Sequence, residues 1–198
     1  MDPQASKKGI TEHDFEAFKE FMGEFRDESD RAAVVLGAAK LDLLLYQLLQ
    51  RFFRPSTSRS DEILDGDSPL GTFSSKITVA HRLYLIDDDL CRALHLVRKI
   101  RNAFAHEIRG VSLENGAHRD RIRELVAPLR ASESFDWLLN SFFSGDPSPR
   151  NEFRCVVALI SVRLEGAFER CPRIEWSPEK LSREPVPKIA PAIRTDDP

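Results

Sequence analysis

Cysteine is scarce in this chain of 198 residues: there are three, Cys91, Cys155 and Cys171. They are odd in number and widely spaced, which excludes a disulfide framework and a CxxC zinc or redox pair. Charge of one sign is also lacking, since the net charge is only -3. The molecule as a whole therefore has no general pull on nucleic acid, and any such contact needs a local basic patch. Polar aromatics are few, with two Trp and two Tyr against thirteen Phe, so the rings serve mainly for packing. The N-terminus, MDPQASKKG, has no apolar signal core. The longest apolar stretch, Ala32 to Leu49, is interrupted by Lys40, Asp42 and Gln47. It reads as a buried helix and not as a membrane span, and a reducing cytoplasmic location is expected. No strand alternation and no repeat occurs. Also missing are GxxxxGK[ST], GxGxxG after a strand and GxSxG, so nucleotide-loop and acyl-transfer chemistry have no support.

What is present is helical periodicity. Phe15, Phe18, Phe21, Met22 and Phe25 form a stripe behind a Thr11 N-cap. Ser29 caps a longer helix over 30–53 that is apolar around most of its circumference, as a central helix would be. Gly and Pro force a turn at 65–69, and a helix runs from about Thr72 to Ile86. Asp87, Asp88 and Asp89 give an N-cap and first-turn charge to the next helix. Its buried stripe is Leu90, Leu94, Val97, Ile100 and Phe104. Further helices are expected over about 117–131 and 134–143, then from Ser148 as N-cap, with Pro149 at the first position, to Cys171. The last 27 residues hold six of the twelve prolines and are expected to be a disordered tail. The fold class is all-α, a single-domain bundle of about six to seven helices. It divides into an N-terminal segment (1–28), a helical domain (29–171) and the tail (172–198).

The helix that follows the acidic triplet ends in KIRNAFAH, residues 99–106. Asn102 and His106 lie one turn apart on one face, and Arg101 is rotated from Asn102 by about 100°. The apolar stripe occupies another sector, leaving these polar groups free. Metal-free RNA cleavage needs a proton-transfer group active near neutral pH, for which histidine is suited. It also needs a fixed cation on the phosphate, which arginine supplies bidentately. Arg101 and His106 fit those roles, Asn102 could orient either, and Arg98, Lys99 and Arg109 would add a basic RNA or partner surface. The same groups suit ordinary helix-end chemistry, where cations facing the dipole contribute about 0.3–1 kcal/mol each. Cys91 and His95 share a face but lack further zinc ligands, and Asp65, Asp67 and Asp87–Asp89 are explained by turns and capping. No metal or cofactor is expected.

Two resemblances bear on these residues. ILDGDSPLGTFSSKITVAHRLYLI, the acidic turn and ALHLVRKIRNAFAH together resemble the mannitol operon repressor (MltR) family, best over Ile63 to Glu107. Leu64 to Gly71 is the most specific part. That family is all-helical, without a recognised DNA-binding domain, and is called regulatory for the operon it represses. The resemblance implies a regulator of gene expression acting through protein contacts. Arg101-Asn102-x3-His106 is also similar to the Arg-polar-x3-His motif of the HEPN superfamily. Many members of that superfamily are dimeric, metal-independent endoribonucleases, some toxin-like, whose two motifs meet at the dimer interface. The expected partners are a second copy of the chain, an unidentified protein, or RNA. Direct DNA binding is disfavoured by the charge and the missing reader helix.

Overall fold

A computed structural model describes residues 12–107 and 110–172, with side chains described from Phe18 onward. Thr11, Arg109 and the proline-rich segment after Pro172 lie outside the described residues. Among the described residues there are seven α-helices and no strand: α1 (Glu12–Arg26), α2 (Asp30–Phe52), α3 (Phe73–Arg82), α4 (Asp88–His106), α5 (Gly116–Val126), α6 (Glu133–Phe143) and α7 (Pro149–Arg170). A single 3-10 turn, Ala127–Leu129, follows α5. The all-α bundle expected from periodicity is the fold found.

The centre of the bundle is α2 against α7, with α3 and α4 on one flank of α2 and α5 and α6 on the other side of α7. α2 starts where expected, because the Ser29 hydroxyl accepts from the Ala32 N–H at 3.2 Å. Its length and composition would allow a membrane crossing, but its Leu41, Leu45, Leu48 and Leu49 are fully buried in the core. Close approach to α7 is set by Gly37, where a Cβ would lie 3.2 Å from both Phe25 Cζ and Val157 Cγ1. α1 closes one end, burying Met22 and Phe25.

α3 ends at Arg82, four residues before the expected Ile86. Its last turn closes with Leu83 N–H on Val79 O and Leu85 N–H on Ala80 O. Tyr84 adopts a left-handed φ of 57° and is almost fully solvent-exposed. This left-handed end redirects the chain, so that Ile86 turns inward and is buried. α5 likewise stops at Val126, five residues short of the expected 131, because the chain tightens into the 3-10 turn containing Pro128, which has no N–H to continue the ladder.

Candidate functional site

α4 presents the quoted motif. Its N-cap is Asp87, whose carboxylate accepts from the Leu90 N–H at 2.8 Å and pairs with Arg163 at 2.6 Å. The hydrogen bond from Leu90, opposed by burial and helped by Arg163, holds that carboxyl below the usual range. The whole expected stripe (Leu90, Leu94, Val97, Ile100 and Phe104) is buried. The helix is thus fixed by its apolar side, and its polar side is left for other work.

Its C-terminal end is held by a residue that sequence reasoning missed. Arg31, at the start of α2, donates to Phe104 O at 2.7 Å and to Glu107 O at 2.5 Å. A guanidinium thereby satisfies two of the terminal carbonyls and faces the negative end of the dipole. The helix-end duty that Arg101 and His106 could have performed is carried out by Arg31. No sequence signal foretold this contact, which spans more than seventy positions.

Arg101 instead donates to Asn102 Oδ1 at 3.1 Å. Both residues, with Arg98, line a cavity of about 420 Å³ between α2, α4 and the Gly71–Ser74 entry to α3. Val35, Ala38, Ala39 and Phe73 give it an apolar side, and Asp42, Thr72 and Ser74 complete its polar side. Asp42 is occupied by the buried Lys76, whose ammonium lies 2.9 Å away. Arg98 Nε is shielded from solvent and has no hydrogen-bond partner. The cavity wall at Gly71 requires glycine, since a Cβ there would fall 2.0 Å from Gly66 O.

His106 is exposed at the end of α4 and lies outside the cavity lining, as does the exposed Lys99. Arg109 falls outside the described residues. The cavity lining thus includes Arg98, Arg101 and Asn102, and His106, one turn beyond Asn102 on α4, is not part of it. On the same helix, burial, helped by Arg98, Lys99 and His81, lowers the pKa of His95, while burial and Asp88 raise that of the Cys91 thiol. Among the described residues no group of three or more His, Cys, Asp and Glu is placed to hold a metal ion.

A second feature borders the cavity. Val35, Leu36 and Leu43 on α2 are exposed large apolar side chains, Leu36 at 48% and Leu43 at 52%. With Ala39 they form a stripe along the solvent side of α2. Comparisons with family models, with curated proteins and with solved structures found no match to this chain.

Proposed function

We propose that the protein is an MltR-like regulator of gene expression that acts through protein contacts, as a cytoplasmic homodimer. The observation that carries this is the exposed apolar stripe of α2. A run of Val, Leu and Ala, flanked by Lys40 and Asp42 that are paired within the chain, costs free energy in water and gains it when covered. In a dimer with a twofold axis the same patch faces itself, so a second copy of this stripe would cover it. Contact with a regulatory partner would use the same helix or its neighbours, and no reader helix for DNA is needed. The MltR assignment itself rests on the Ile63–Glu107 resemblance.

Sedimentation equilibrium of the full chain tests this. A dimer would have twice the 22.5 kDa chain mass, 2 × 22.5 = 45 kDa. The double variant Leu36→Glu, Leu43→Glu should sediment as a folded monomer. A wild type that stays monomeric at every concentration would remove the self-association.

The alternative is a metal-independent endoribonuclease of the HEPN type. It is favoured by Arg101 and Asn102 lying in direct contact beside an exposed His106 on one helix end. RNA cleavage in EDTA, wild type beside His106→Ala, separates the two functions: the regulator predicts no cleavage by either, and cleavage by the wild type alone would put the nuclease first.

A further inference from the structure

We infer that the cavity between α2, α3 and α4 binds the phosphate group of a small organic phosphate, with Arg98 and Arg101 as its cationic partners. This goes beyond the docking face of α2, with which the cavity shares Val35 and Ala39 at its rim. Two guanidiniums line one cavity, and neither has a carboxylate partner among the described residues. The carboxylate in the wall, Asp42, is already neutralised by Lys76. The surplus charge is that of two arginines, which matches a dianion. Planar guanidinium forks suit phosphate oxygens better than any other cationic side chain does.

The pairing of Arg98 with Arg101 in one cavity lining, three residues apart on α4, is the strongest sign. Two neighbouring guanidiniums repel each other, and an anion held between them in the cavity would relieve that repulsion. Asn102 supplies an amide whose oxygen already accepts from Arg101, which leaves its N–H groups to donate. Thr72 caps α3 through its hydroxyl, accepting from Ser75 N–H. The Phe73 and Ser74 amides before it have no acceptor within the helix, and both residues line the cavity.

Shape separates a small ligand from a nucleic-acid strand. The volume of about 420 Å³ falls in the range of small-molecule sites, about 300–1,000 Å³. Ala38 and Phe73 offer apolar contact for the organic portion beyond the phosphate. A strand would need the basic lining to continue along a groove, whereas Lys99 and His106 lie outside this cavity.

The test is calorimetric titration of the full chain with ribose 5-phosphate, with ribose and with inorganic phosphate, at low ionic strength. The wild type should bind ribose 5-phosphate saturably, phosphate more weakly, and ribose not at all. Arg98→Gln and Arg101→Gln should each weaken binding about tenfold or more, the size of one lost charge-assisted contact. Arg119→Gln on α5 should leave it unchanged. Arg101 is exposed, so its variant keeps the test valid if Arg98→Gln fails to fold. Absence of saturable binding, or equal binding by all the variants, would overturn the inference. Binding confined to a 5′-phosphorylated RNA oligonucleotide would overturn the small-ligand assignment. Light scattering on the same samples reads the association state, so loss of the ligand site and loss of the dimer are told apart.

Discussion

Arg154 is 1% exposed, and it survives there because each part of its guanidinium has an acceptor. It donates to Phe25 O at 3.1 Å, Arg150 O at 3.0 Å and Glu28 O at 2.5 Å, and lies over the Phe25 ring. One side chain of α7 thereby ties down the turn between α1 and α2. Arg154→Met should fold but lose about 3 kcal/mol, the cost of carbonyls left without donors, and urea unfolding measures this. Beside it, Asp30 is 8% exposed. Burial pushes its carboxyl up, but the Leu113 N–H, Arg150 and Ser112 outweigh that, so it sits below the usual carboxylate range. A carboxyl depressed in the folded state stabilises the fold above its unfolded pKa of about 3.9. That contribution disappears as pH falls through the lower, folded value. Asp30→Asn should therefore lower stability near neutral pH and make acid unfolding shallower, measurable by urea titrations at a series of pH values. None of these tertiary partners was legible in the sequence. Apart from Arg150 O on Arg154, those partners lie 82 to 129 positions away along the chain.

At the scale of elements, much more was legible. The Leu90–Phe104 stripe, the Ser29 cap and the Asp87 cap all follow local rules, and each is found where the residues placed it. The end of α3 was not, because a left-handed Tyr84 carries no sequence signal of the kind that glycine gives. The 63–71 segment shows both sides of this. Its turn was evident from Gly and Pro, and Asp65 indeed accepts from Asp61 N–H at 2.8 Å and from Ser60. Its role as a wall of the cavity depends on how α3 docks on α2 and α4, which is a packing outcome. Gly71 joins the two, since the backbone of Gly66 leaves no space for a Cβ. Gly71→Ala should displace this segment at a cost of about 2 kcal/mol or more. Thermal unfolding would record the loss, and Gly23→Ala, with open space around it, is the control expected to do no harm.

For the whole molecule, the α4 motif was identified as a group of polar residues, but its division was not. Arg101 and Asn102 turn to the cavity with Arg98, His106 stays outside, and Arg31 takes over the helix end. Helical spacing gives the face of a residue and cannot tell what another helix brings to it. The same holds for α2. Its nearly continuous apolar surface predicted cover on several sides, and one stripe remains exposed in the single chain. The central claim is that this stripe is covered by a second copy. The most direct measurement is the rate at which a thiol-reactive probe labels Leu43→Cys over a range of protein concentrations, with Glu133→Cys on the exposed side of α6 as reference. Cys155, whose thiol burial pushes up to about 12, will not interfere, and peptide mapping separates Cys91 and Cys171. Labelling at position 43 should slow as concentration rises and recover on dilution, while position 133 stays constant. Equal and concentration-independent labelling at both positions would contradict the account.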